Sequence, residues 1–252
     1  MAPDAILEGR IAIVTGAAGR LGPTWCQALA DAGATVVGVD LAEADGVRAA
    51  DVTDRDALDA VAADVERQLG TPEILVNGAG IDQPPDAAAT TRRIEDVPLD
   101  EFRRTVDVNL AGTFAATQAF GSRMCAAGRG AIVNIGSLYA TVAPEPRFYD
   151  HLHVDPPFLK PAAYGASKAG VLALTRYFAR LWGPRGVRVN ALSPGGVRGG
   201  QDPEFRAKYE ARVPLGRMAE AEELAGPLLF LVSDASRYVT GHELRVDGGF
   251  TA

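Results

Sequence analysis

Short apolar runs alternate with longer helical patterns along almost the whole chain. Arg10–Thr15, Thr35–Val39, Val47–Val52, Ile74–Val76, Ala131–Ile135, Val187–Leu192 and Glu243–Val246 read as strands. Between them, helices are expected at Pro23–Ala32, Asp54–Leu69, Asp100–Ala127, Ala162–Trp182 and Glu220–Ser233. In Asp54–Leu69 the apolar residues Leu58, Val61, Val65 and Leu69 fall on one helical face. Strands this short and continuously apolar belong to a sheet covered on both faces. Their alternation with helices implies right-handed crossovers. The expected fold is therefore α/β, a Rossmann-like doubly wound parallel sheet of about seven strands with helices on both faces. No linker or internal repeat divides residues 1–252, so one catalytic domain is expected.

Composition excludes several partners. The chain has 25 Lys+Arg against 32 Asp+Glu, a formal charge of −7, which disfavours nucleic acid and anionic membranes. No apolar run reaches the roughly 18–20 residues of a membrane span. The first ten residues lack the pattern of a secretory signal. Cys26 and Cys125 stand alone, as expected of a reducing compartment and hence the cytoplasm.

Thr15-Gly16-Ala17-Ala18-Gly19-Arg20-Leu21-Gly22 follows the first strand and opens the first helix. Glycines there let backbone approach a pyrophosphate, and the helix start supplies unpaired N–H groups. Asp40 ends the second strand 18 residues after Gly22, near the spacing of an acid that binds the adenosine ribose diol. A carboxylate repels a 2′-phosphate, and no cation follows at Leu41 or Ala42, so NAD is expected over NADP. Arg20 is the one cation in the turn and a candidate phosphate contact. Tyr164 and Lys168 are four residues apart at the start of a helix, so hydroxyl and ammonium share a face. A cation beside a phenol favours the phenolate, which suits Tyr164 to proton exchange with an alcohol or ketone.

At these residues the chain resembles the short-chain dehydrogenase/reductase family. The resemblance runs through Thr15–Gly22, Asp51-Val52, Asn77-Gly78-Ala79-Gly80, Asn109, Ser137, Tyr164 with Lys168, Pro194-Gly195, Thr240-Gly241 and Asp247-Gly248-Gly249. It implies that Ser137 orients the substrate oxygen, Tyr164 exchanges its proton, and Lys168 lowers the Tyr164 pKa and grips a ribose. Asn109 is implied to hold a relay water. Gly16, Gly19, Arg20, Leu21, Gly22, Asp40, Asp51, Val52, Asn77, Ala79 and Gly80 are implied cofactor contacts, with Pro194, Gly195 and Val197 beside the nicotinamide. A homotetramer is implied as well. Arg20 stands where the family's middle glycine usually does, and Gly78 replaces a second asparagine. The Gly16-x-x-Gly19-x-x-Gly22 spacing also occurs in sugar-nucleotide epimerases and dehydratases, which carry an added C-terminal substrate domain. An NADPH ketoreductase and a non-catalytic dinucleotide sensor are the remaining alternatives.

Ser137 and Tyr164 are 27 residues apart, a longer gap than the family norm. Tyr139–Pro161 between them holds Pro144, Pro146, Pro156, Pro157 and Pro161, so regular structure is not expected there. A loop so placed borders the active site. It resembles a bacterial subgroup linked to sugar and sugar-acid metabolism, which points to a polyhydroxylated small-molecule substrate. Asp82, Gln83, Tyr139, Arg147, Tyr149, His151, Arg198 and Gln201 are the candidate contacts, with Arg92 and Arg93 as further anion-binding candidates. His151 and His153 with Asp150 and Asp155 invite a metal reading, but only one histidine pair is present and no metal is expected.

Overall fold

The computed structural model describes residues 6–82 and 91–252. Seven parallel strands form one sheet in the order β3-β2-β1-β4-β5-β6-β7. They are β1 (Ile11–Thr15), β2 (Thr35–Asp40), β3 (Val47–Ala49), β4 (Ile74–Asn77), β5 (Gly130–Ile135), β6 (Val187–Pro194) and β7 (Glu243–Val246). The helices are α1 (Gly22–Asp31), α2 (Arg55–Gln68), α3 (Leu99–Val106), α4 (Gly112–Ala127), α5 (Ala162–Trp182), α6 (Pro203–Glu210) and α7 (Ala225–Val232).

The period of β1 shows why its sequence has no polar alternation. Ile13 faces one core with Leu58, Leu75, Phe120 and Phe178. Ala12 and Val14 face the other with Trp25, Leu29, Leu192 and Leu228. Both sheet faces are covered, so successive side chains are all apolar. Strand order reverses between β1 and β4, and a crevice opens there at the carboxyl ends of the strands. That is the ligand position of a doubly wound sheet.

Four departures from the expected elements have local causes. The helix expected at Asp100–Ala127 is interrupted by a π turn at Asp107–Ala111; the Asn109 side chain leaves the helix there to bond Ile81. Such bulges gather at functional sites. The strand expected at Val47–Val52 stops at Ala49, where Asp51 turns the chain by accepting from the Thr53 N–H and hydroxyl, both at 2.8 Å. The helix expected at Glu220–Ser233 starts as a 3₁₀ turn at Ala221–Leu224. Pro227, which has no N–H to donate, lies just inside α7. α6 was not expected. Asp202 caps it by accepting from Glu204 N at 2.8 Å and Phe205 N at 3.1 Å, and Pro203 occupies its first turn.

The Tyr139–Pro161 segment contains only single 3₁₀ turns, as its prolines require. It is not a loose strap. Phe148, Tyr149 and Phe158 are buried and form a third core with Phe205, Tyr209 and Met218. Tyr149 stacks on Phe205 at 5.4 Å between ring centroids, and Tyr209 on Phe250 at 5.0 Å. Aromatic pairs of this kind fix the segment beside the crevice.

Candidate active site

A continuous cleft of about 1540 Å³ runs from the turn after β1 to the start of α5. An ordinary ligand pocket holds roughly 300–1,000 Å³, so this one has room for a large ligand and a second small molecule.

At one end lies the glycine turn. Gly16 has φ +72°, and a Cβ there would stand 2.7 Å from the Ala79 Cα. A Cβ on Gly22 would stand 2.3 Å from the Gly16 carbonyl oxygen. Leu21, at the N-cap of α1, provides no side-chain cap, so first-turn N–H groups remain for a ligand. Asp40 ends β2 at the rim, its carboxylate accepting from Ala18 N and Leu41 N, both at 2.8 Å. These features fit a dinucleotide: a backbone cradle for the diphosphate and an acceptor for a ribose diol. Gly19, Asp51, Val52, Ala79 and Gly80 line the same stretch.

At the other end, Ser137 follows β5 and Tyr164 and Lys168 sit in the first turns of α5. Lys168 is buried, and its Nζ donates to the Ile135 carbonyl at 2.7 Å. Burial pulls its ammonium down to about 8, with the Asp82 charge opposing that shift. Nζ lies 5.9 Å from the Tyr164 ring centroid. Burial, reinforced by Asp82, pushes the Tyr164 phenol above its ordinary range, against a hydrogen bond from Ser137. The free protein therefore holds Tyr164 as a protonated phenol at neutral pH. Added positive charge in the cleft would lower that value, which is what proton acceptance from an alcohol requires. Pro194, Gly195 and Val197 close the cleft from the end of β6, and Tyr139, Tyr149, Gln201 and Asp82 line it near Tyr164.

Several expected contacts lie elsewhere. Asn77 is not at the cleft: its Nδ2 donates to Thr117 Oγ1 at 2.9 Å and Asn134 Oδ1 at 2.8 Å inside the core. Asn109 is fully buried beneath Gly80. Its Oδ1 accepts from Ile81 N at 2.7 Å, and its Nδ2 donates to Ile81 O at 3.0 Å and Ser167 Oγ at 3.2 Å. The side chain thus shapes the cleft wall by holding the Ile81 backbone. Arg20 lines the cleft but donates to the Val197 carbonyl at 2.6 Å, clasping the glycine turn to the loop after β6. Arg147 is 89% exposed and turned toward Glu145, and Arg198 pairs with Glu220 at 3.1 Å. Arg92 pairs with Glu101, outside the cleft lining. Arg93 precedes a short 3₁₀ turn and is also absent from that lining. Gln83 falls outside the described residues.

His151 is similarly displaced, its Nε2 lying 3.0 Å from Asp202 Oδ1. Asp150, His151 and Glu204 have ligand atoms close together. The Lys208 ammonium occupies that cluster, bonded to Asp150 and 2.9 Å from Glu204. His153 is exposed at φ 46°. Sequence reasoning missed Lys160 and the aromatic wall of Phe205 and Tyr209. Lys160 precedes α5 by two residues, and Asp202-Pro203 is a legible helix start.

The family model described as "Enoyl-(Acyl carrier protein) reductase" matches residues 16–251. A galactitol 2-dehydrogenase (L-tagatose-forming) of Cereibacter sphaeroides is 39% identical, over 97% of this chain and 96% of its own length. A D-threitol dehydrogenase of Mycolicibacterium smegmatis is 37% identical, over 98% of this chain and 95% of its own. The crystal structure of a gluconate 5-dehydrogenase from Burkholderia cenocepacia J2315, in complex with NADP and tartrate, superposes with TM-score 0.85 at 30% identity, covering 98% of each chain. The chain belongs to the short-chain dehydrogenase/reductase family. It is an oxidoreductase that interconverts an alcohol and a ketone with a nicotinamide dinucleotide.

Proposed function

We propose that the protein is an NAD-dependent dehydrogenase that oxidises a secondary hydroxyl of a sugar-like polyol. The observation that carries this reading is the union, in one cleft, of a glycine cradle ending at Asp40 and a Ser137–Tyr164 hydroxyl pair above a buried Lys168. The dinucleotide, held along Gly16–Gly22 and Asp40, supplies the hydride acceptor. Ser137 orients the substrate hydroxyl, Tyr164 takes its proton, and Lys168 supplies positive charge behind the phenol. Asn109 positions the Ile81 backbone at the cleft wall. The polyol reading is supported by the substrates in the names of the two similar enzymes and by the polar side chains near Tyr164.

The NAD preference rests on Asp40. Initial rates with NAD and NADP on galactitol, threitol, sugar acids, a steroid alcohol and cyclohexanol test both parts. The expected result is polyol turnover with NAD, and Asp40→Ala should narrow the NAD:NADP ratio of kcat/KM by about 10²-fold, the size of a lost charged hydrogen-bonding and repulsive contact. Turnover of flat apolar alcohols alone would overturn the polyol reading.

The exposed Phe114, Tyr177 and Leu181 on α4 and α5 support a homotetramer formed through these helices. A solution mass by light scattering four times the 26.4 kDa chain is the expected result. No helix among the described residues is long and apolar enough to cross a membrane. The two free thiols, Cys26 and Cys125, support a place in the reducing cytoplasm.

A further inference from the structure

One charged pair at the Tyr164 end of the cleft exchanges no proton in the chemistry above. Lys160 leads into α5 and reaches over the Tyr164 ring, its Nζ 5.3 Å from the centroid. Its side chain is only 7% exposed, and Nζ lies 2.5 Å from Asp82 Oδ2. Asp82 comes from the chain after β4, and both residues line the cleft. The charge of Asp82 is felt at Tyr139, Tyr149 and Tyr164, all of which it pushes upward, so it shares a chamber with the reacting hydroxyl.

We propose that Asp82 and Lys160 form a diol-reading subsite that accepts neutral polyhydroxylated substrates and turns away sugar acids. The proposal rests on the polyol reading above and adds the charge class of the substrate. A carboxylate beside an ammonium presents an acceptor and a donor side by side with no net charge. Neighbouring hydroxyls of a polyol match that pattern: one donates to Asp82 while the next accepts from Lys160, and the ion pair stays intact. A substrate carboxylate offers only acceptors. To use Lys160, whose side chain is 7% exposed, it must lie against the Asp82 carboxylate or displace it, setting like charges together or breaking the ion pair. The arginines that sequence reasoning offered for an acid do not compensate. Arg147 is turned toward Glu145 and Arg198 is paired with Glu220, both off the cleft lining.

The test compares kcat/KM with NAD for galactitol and galactonate in the wild type, Asp82→Asn and Lys160→Met. Wild type should favour galactitol. Asp82→Asn unpairs the lysine, so the acid-to-polyol ratio should rise about tenfold or more while galactitol itself loses about tenfold. Lys160→Met removes the donor beside Asp82, so the ratio should fall as polyol turnover also drops. NADH binding and melting temperature monitor folding. If Asp82→Asn does not fold, the fall in ratio in Lys160→Met decides the matter. Polyol turnover with a ratio within about twofold of wild type in a folded variant overturns the subsite and leaves the polyol reading standing. If wild type oxidises cyclohexanol but neither galactitol nor galactonate, the polyol reading fails and the subsite with it.

Discussion

Replacing Tyr164 with Phe is expected to lower kcat/KM for alcohol oxidation by about 10³-fold, within the range of a lost general base. The phenol is the group at the cleft floor bonded to Ser137, with the Lys168 ammonium behind its ring. Phe keeps the ring and removes only the hydroxyl, so NADH binding measured by fluorescence should change less than about twofold. Burial and Asp82 hold the phenol above its ordinary range in the free protein. The base form therefore grows as pH rises, so alcohol oxidation should climb with pH and ketone reduction should fall. A Tyr164→Phe variant that keeps a tenth or more of wild-type kcat/KM would remove Tyr164 from the chemistry.

Lys168→Met should have two effects of opposite sign. Activity should fall by about 10²-fold or more, because the phenol loses the cation that favours its charged form. Stability at pH 7 should rise. Burial depresses the folded-state value to about 8 from 10.5. Below 8 the folded protein keeps an ammonium where charge is disfavoured, and that penalty is full. It shrinks as pH rises from 8 and is gone above 10.5, where the unfolded chain is neutral as well. The shift corresponds to a penalty of about 3 kcal/mol at pH 7. Loss of the Nζ bond to the Ile135 carbonyl returns roughly 1–2 kcal/mol of it. The variant should melt a few degrees higher at pH 7, at roughly 2–4 °C per kcal/mol, and the gain should vanish by about pH 10. An equal Tm difference at both pH values would contradict the burial account.

What was readable in the sequence was local. The seven strands, the glycine turn and Asp40 were legible because each rests on a short pattern with its own period or spacing. So were Ser137, Tyr164 and Lys168, which lie on the cleft as expected. What was not legible depends on packing between distant segments. Asn77 occupies a motif position, but which face of β4 it presents is set by Thr117 and Asn134. Arg198 reads as a substrate contact, but the fold brings Glu220, 22 residues further along the chain, beside it. The π turn at Asn109 exists because Ile81 takes its amide, a contact 28 residues away in the chain. Lys160 gained meaning only when Asp82, 78 residues earlier, was placed against it. The proline-rich segment gave away its irregularity but not its aromatic anchor, which needs α6 and Phe250.

In the proposed mechanism one cleft holds the dinucleotide against Asp40 and the substrate hydroxyl against Ser137 and Tyr164. A crystal structure of the protein with NAD and a bound polyol tests it directly. The expected result is the adenosine ribose diol on the Asp40 carboxylate, with one secondary hydroxyl of the polyol within hydrogen-bond distance of both Ser137 Oγ and the Tyr164 hydroxyl. A polyol bound with all its hydroxyls away from Tyr164, or a dinucleotide that leaves Asp40 untouched, would contradict it.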